Sequence, residues 1–387
     1  MLTRNMANAS RKFIIIFIIG VIVTFGIGIL IGHFAIEKIT SQPDNEGKRD
    51  SQTFKLGNAC TNEIKNFTYL HRYMNTCNKD ICDTSSKTCS FTLPKHYIAY
   101  HLNGKSVNID GHLDDEAWQE VPWSSDFTDI RGPQYPKPQF DTKFKLRWND
   151  DRLYVAALLN ATELWASLTV DESKVWQDNA FEVFYDADNS MQNYKEMEIN
   201  VLNVTWDLML TKAYIDCPNC KETNVLSNWT SNMEKAVHHD GEVNNPLKKE
   251  PSGSLTLLTV NTRRQAKPEH ADWWSWQPTG AVALHLPHRW GLVQFSKNFQ
   301  NKVFSFPAWT AYKALFDIFE ALHRFKALNG MFITSMTDLD VPPYILSGNC
   351  IKNAAIKLTP DGFEVSLNTT TYAKEGHIRA DRYTWFT

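Results

Sequence analysis

Four cysteines, Cys60, Cys77, Cys82 and Cys89, crowd into a short polar stretch with little apolar material to hold it. Thiols at that density in an exported chain read as disulfides, and the four are expected to pair among themselves in one of three connectivities. Cys217 and Cys220 close a CPNC loop, and Cys350 stands alone. A redox or zinc role for CPNC needs a βαβ context or a second ligand pair, and the sequence offers neither. A local bridge there, or one cysteine of the pair reaching Cys350, is expected instead. Asn66, Asn160, Asn203, Asn228 and Asn368 each open an N-x-S/T triplet without proline, the acceptor pattern for N-glycosylation. Asp110, Asp114, Asp115 and Asp178 offer hard oxygens that suit calcium, Asp110 and Asp178 foremost; turn capping is the rival duty of such residues. His238-His239-Asp240 lacks the HExxH spacing and reads as a solvated loop. Met197, Met209 and His285 are residue types that ligate haem, but none stands in a diagnostic spacing. Glycosyl-bond hydrolysis needs two opposed carboxylates, and no acid here sits in a recognisable catalytic pattern, so no catalytic residue is expected.

The elements that must carry these residues begin with a membrane signal. Residues 13–36 form an unbroken apolar run long enough to cross a bilayer as a helix. Arg4, Arg11 and Lys12 precede it without an acid, so residues 1–12 are expected to stay cytoplasmic and the rest to face outward, a single-pass type II arrangement. A cleaved signal peptide is the rival; its apolar stretch is normally shorter and ends at a small-residue site that Gly32-His33-Phe34-Ala35 does not resemble. Gly28 and Gly32 make one GxxxG pair, a route to a homodimer through such helices. The net charge of −3 gives no global pull toward nucleic acid. Residues 37–93 read as a stalk with its cysteine cluster.

From residue 94 the pattern changes to short β-type runs between turn signals, which favours a β-sandwich over 94–300. Phe144–Trp148 and Leu153–Leu158 flank an Asn149-Asp150-Asp151 turn, and Ala180–Tyr185 and Met197–Leu202 are further strands. Residues 301–387 are expected to pack on the sandwich as an extension of one long helix and a small hairpin. Pro307 starts the helix and Asn329-Gly330 stops it. Tyr312, Leu315, Phe316, Phe319 and Leu322 recur on one face of it, a packing stripe rather than a cofactor pocket. Thr359-Pro360-Asp361-Gly362 turns the hairpin. The 13 Trp residues suit either a core or flat platforms for sugar rings, so position decides between the two. Trp273, Trp274 and Trp276 alternate in part, and of the three Trp276 is the expected groove residue.

Four ordered runs resemble the family 9 carbohydrate-binding modules. They are Val107–Trp118 (VNIDGHLDDEAW), Leu146–Ala156 (LRWNDDRLYVA), Val175–Asp186 (VWQDNAFEVFYD) and Tyr194–Asn200 (YKEMEIN). With Asp272–Ser296, which resembles a closing segment of the family, the likeness covers about residues 94–296. It implies an antiparallel β-sandwich that binds sugar, often with structural calcium and often beside glycoside hydrolases, hence a link to carbohydrate breakdown. Trp176 and Glu182 fall where binding members stack on the ring and hydrogen-bond to it. Glu198 stands where they have a basic sugar contact, and Leu284 falls near their second stacking Trp. Their Trp-x-x-Glu strand has no counterpart over residues 240–260. A surface interaction module without a sugar is the alternative reading.

Overall fold

The computed structural model describes residues 11–20, 89–161, 164–216, 224–226, 229–239, 259–267, 270–299 and 303–387. One six-stranded sheet holds β1 (Arg11–Gly20), β2 (His96–His101), β4 (Thr142–Trp148), β5 (Arg152–Ala161), β10 (Glu234–His239) and β13 (Leu292–Ser296), in the order β10-β1-β5-β4-β2-β13. A seven-stranded sheet holds β3 (Thr128–Asp129), β6 (Ala180–Tyr185), β7 (Tyr194–Asn200), β8 (Thr205–Leu210), β9 (Val225–Leu226), β11 (Thr259–Lys267) and β12 (His270–Ser275), in the order β3-β12-β11-β6-β7-β8-β9. The second sheet is antiparallel throughout. In the first, β2 departs from the expected antiparallel order and runs parallel to both β4 and β13.

Strand periodicity makes the sandwich. Phe144 and Leu146 on β4 and Val155 and Ala157 on β5 meet Phe181 and Val183 on β6 and Met197 and Ile199 on β7, each at most 1% exposed. Burying a side chain of this kind is worth about 1.5–3 kcal/mol, so the shared face dominates the fold. The β4–β5 turn forms because Asn149 Oδ1 accepts the N–H groups of Asp151 (3.0 Å) and Arg152 (2.7 Å), an Asx turn of the kind the Asn-Asp-Asp sequence favours.

The N-terminus departs from expectation. Arg11–Gly20 is a strand seated between β5 and β10, antiparallel to both, where a membrane helix over 13–36 was expected to begin. Its β-branched and aromatic residues suit a strand that lies inside a sheet. The rest of the apolar run, with Gly28 and Gly32, lies outside the described residues. Among those described, no helix is long and apolar enough to cross a membrane.

The C-terminal extension is larger than a hairpin. Strands β14 (Ile351–Thr359), β15 (Gly362–Thr369), β16 (Gly376–Arg379) and β17 (Thr384–Phe386) form an antiparallel meander in chain order. Gly362 takes φ 136° in the first turn, which a side chain would resist. Two short helices, α1 (Glu116–Gln119) and α3 (Pro343–Leu346), flank one long one, α2 (Trp309–Asn329). Helix α2 ends where Gly330 enters the left-handed region at φ 82°. Its aromatic stripe is buried against this meander in a second core with Phe363, Val365, Leu367 and Ile378, rather than in the sandwich core.

That second core also corrects the cysteine pairing. Cys89 is bonded to Cys350, with Cα atoms 5.2 Å apart, and not to its neighbours in the cluster. Cys89 lies beside Phe91 in the buried cluster, and its carbonyl accepts from Thr310 Oγ1 at 3.1 Å. The residue at the edge of the cluster is thus drawn into the folded body. Cys60, Cys77, Cys82, Cys217 and Cys220 lie outside the described residues.

Candidate functional site

The period-2 rule that turns Val183 and Met197 into the core turns Glu182, Glu196 and Glu198 the other way. Glu182 is in register with Glu198 across β6 and β7, and Glu198 with Trp206 on β8. On an open sheet face these carboxylates would be wet, yet they are 1, 5 and 1% exposed. The shelter is a ring of loops around a cavity of about 700 Å³. Trp176, Trp206, Trp273 and Tyr214 supply aromatic walls; the Val282–Leu286 loop and Ile130 close the sides, and Lys174 stands exposed on the rim.

The Trp176 wall is positioned by a buried carboxylate. Trp176 sits in the single turn Val175–Gln177 that leads to Asp178. Asp178, fully buried, accepts hydrogen bonds from Ser167 N (3.0 Å), Ser167 Oγ (2.9 Å), Leu168 N (3.0 Å) and Asn200 Nδ2 (2.9 Å). Three of those donors tie the turn to the Ser167-Leu168 segment and one ties it to the end of β7, so Asp178 orients the platform. Asp110, exposed, accepts from the N–H of His112 at 2.9 Å. Among the described residues no group of three or more His, Cys, Asp or Glu is placed to hold a metal ion.

The carboxylates perturb one another. Burial, and then the charge of Glu182, push Glu196 up to about 8. Burial, with Glu182 and Glu196, pushes Glu198 well above its ordinary range. Glu196 and Glu198 interact side chain to side chain, and the backbone N–H of Trp176 donates to Glu198. Glu198 Oε2 is buried with no hydrogen-bond partner among the described residues. His285 closes the far end, with Nδ1 2.9 Å from Tyr194 Oη and Nε2 3.9 Å from Glu196 Oε2. Burial holds the imidazole down to about 3, so it is neutral and offers the carboxylates no countercharge.

Residues 109–297 match the carbohydrate family 9 binding domain-like family. The segment spans the cavity floor and its four aromatic walls. A solved structure from Bacteroides uniformis, provisionally described as a carbohydrate-binding protein, is similar at 13% identity, covering 52% of this chain and 100% of its own, with a TM-score of 0.34. No curated protein matches the chain.

Within the family 9-like domain the structure gathers Trp176, Glu182 and Glu198 at one cavity, with Leu284 beside them. It removes Trp276. That ring is 1% exposed, stands edge-on to Phe144 at 5.0 Å and donates Nε1 to Ser125 Oγ, so it belongs to the sandwich core. Trp273, one residue out of phase with buried Trp274, faces the cavity instead. Glu196, Trp206, Trp273, Tyr214 and His285 join the site although sequence reasoning did not place them there. Of these Glu196 alone carried a signal, since it lies two residues from Glu198 on one strand. Of the sequons, Asn160 is the penultimate residue of β5, Asn203 sits in the β7–β8 turn at φ 67°, and Asn368 is in β15. Asn66 and Asn228 lie outside the described residues.

Proposed function

We propose that the protein binds a carbohydrate in the cavity on the outer face of the seven-stranded sheet. The observation that carries this reading is the conjunction, inside the family-matched segment, of flat aromatic walls with three buried carboxyl groups. Sugar rings have apolar C–H faces that suit Trp176, Trp206 and Trp273, and hydroxyls that suit Glu182, Glu196 and Glu198. Trp176 is half-buried beside the opening, so the test uses it. On full-length protein, Trp176→Ala should abolish binding on a glycan array and the sugar-dependent change in tryptophan fluorescence, with the melting temperature unchanged. A wild-type protein that binds no glycan at high concentration would leave a surface interaction module as the better reading.

A location outside the cytosol goes with this function. The Cys89–Cys350 bond and the sequons support an oxidising, glycosylating compartment. Attachment to a membrane rests on the length of the apolar run 13–36 and its basic flank. Such a helix and β1 use the same residues, so each excludes the other.

A further inference from the structure

Resting on the sugar reading, we infer that the ligand is a glycoside rather than a free oligosaccharide, its apolar aglycone lodged at the end of the cavity walled by Ile215, Val282, Leu284 and Leu286. Strand register separates the two ends. Trp206 pairs with Glu198 and Glu198 with Glu182, while Trp273 pairs with Arg263 and Arg263 with Ala180. The Trp176 backbone N–H also donates to Glu198, so the three tryptophans stand around the level of Ala180 and Glu182. His285 marks the other end. Its ring is edge-on to Phe184 at 5.3 Å, its Nδ1 lies 2.9 Å from Tyr194 Oη, and Tyr214, beside Ile215, meets it edge-on at 4.5 Å. Phe184 lies two residues past Glu182 and four past Ala180 on β6. At the rise of a strand the ends are therefore roughly 7–13 Å apart.

The far end is poor in groups for sugar hydroxyls. The N–H groups of Ala283 and Leu286 donate to the carbonyls of Ala281 and Leu284 at 2.8 and 2.7 Å. The carbonyls of Ala283 and Leu284 accept from Thr279 Oγ1 and Trp290 Nε1 at 2.8 and 2.7 Å. These backbone groups are thus engaged within the protein, and apart from His285 the side chains that the loop brings to the cavity are aliphatic. Val282 lines the cavity while 49% exposed, so apolar area is there to be covered by a guest. Glu196, Tyr214 and His285 are the polar side chains at this end among the described lining residues, and His285 has Nδ1 committed to Tyr194. A second sugar ring seated here would press dehydrated hydroxyls against aliphatic walls, where each one left unpaired is penalised. An alkyl or aryl group has no donor or acceptor to strand and gains from its burial. A glycoside matches the order of the cavity, with the hydroxylated ring among the tryptophans, Glu182 and Glu198, and the apolar group beyond it.

The experiment is calorimetry on full-length protein with the methyl, butyl and hexyl β-glycosides of glucose, galactose and xylose, below their micelle concentrations, and with hexanol as the chain alone. Affinity should rise by up to about threefold per added methylene, the scale of burying one CH2 group, so a hexyl glycoside should bind at least about tenfold more tightly than its methyl counterpart. Trp273→Ala, at the sugar end, should weaken the methyl and hexyl forms by about the same factor. Val282→Asn, which changes a half-exposed side chain at the other end, should lower the hexyl-to-methyl ratio at least about threefold. Equal affinities for methyl and hexyl forms, or a ratio that Val282→Asn does not move, would overturn the aglycone inference and leave sugar binding standing. Hexanol binding as tightly as the hexyl glycosides would overturn the sugar reading, and with it the inference in this form. Failure of every glycoside to bind would refute both.

Discussion

Trp273 and Trp276 differ by three positions and by everything that matters for function. Trp273→Ala should cost roughly tenfold in sugar affinity and little stability, because an aromatic contact at a ligand is worth about 1 kcal/mol beyond the area it covers. Trp276→Ala removes a ring sealed against Phe144 and should cost about 3–5 kcal/mol of stability, read by urea unfolding. The carboxylates make a pH prediction. Glu196 is raised from 4.5 to about 8, so the folded state binds its proton more tightly than the unfolded state does. Stability from this group is complete below 4.5 and is lost as pH rises toward about 8. The buried His285, His288 and His323, lowered from 6.5 to about 3, 3 and 4, act in the opposite direction but only below 6.5. Between pH 6.5 and 8 the ligand-free protein should therefore melt progressively lower, and Glu196→Gln should flatten that slope; an unchanged slope would count against the buried carboxyl pair. The motif signals behind Trp176 and Glu182 were legible in the sequence. The choice among the tryptophans was not, because phase within β12 depends on where the strand ends and the chain turns in toward the core.

Two wall segments of the cavity are held from outside the domain, by the C-terminal extension. Arg382, which follows β16, clasps Asp216 with Nε to Oδ2 at 2.8 Å and Nη2 to Oδ1 at 2.9 Å. Its Nη1 donates to His288 Nδ1 at 2.8 Å. The other nitrogen of that imidazole donates to Glu320 on α2 at 3.2 Å, and Arg289 Nη2 reaches the same oxygen at 2.6 Å. Burial would lift Glu320, but Arg289 and His288 hold it well below the usual carboxylate range. Asp216 ends the turn that carries Tyr214 and Ile215, and His288 and Arg289 directly follow the Val282–Leu286 loop. The extension thus positions both segments. Arg382→Ala would strand a buried Asp216 carboxylate, an expected loss of about 3–5 kcal/mol, and should weaken sugar binding even well below the melting temperature. Full affinity at low temperature would show that the walls hold without the clasp. None of this was readable beforehand: periodicity marked α2 and its aromatic stripe, but an ion pair spanning 166 residues leaves no periodic trace.

At the scale of the molecule, the central question is what the N-terminal apolar run does. Hydrophobicity and length speak for a membrane helix, and composition alone cannot separate that from a strand buried on both sides, since each is an unbroken apolar stretch. The structure seats Arg11–Gly20 between β5 and β10, ten residues in register with β5 and six with β10. If that strand is part of the sandwich, deleting residues 1–20 opens the six-stranded sheet and leaves two long edges, β5 and β10, without their partner. Unpaired edges of this kind lose stability and invite association with other chains. The truncated protein should then unfold at a lower temperature and sediment as aggregates, while full-length protein washes off membranes at alkaline pH. The opposite pair of results, an alkali-resistant full-length protein and a truncated form that melts normally as a soluble species, would assign the run to the bilayer. It would also require that β5 and β10 close on each other or on another segment. The Cys89–Cys350 bond provides the internal control, because it ties the segment leading into β2 to the C-terminal core whichever way the N-terminus is used. Cys350→Ser should cost about 2–5 kcal/mol in both the full-length and the truncated protein. Equal costs in the two would show that the truncation damage is confined to the sheet that lost its strand.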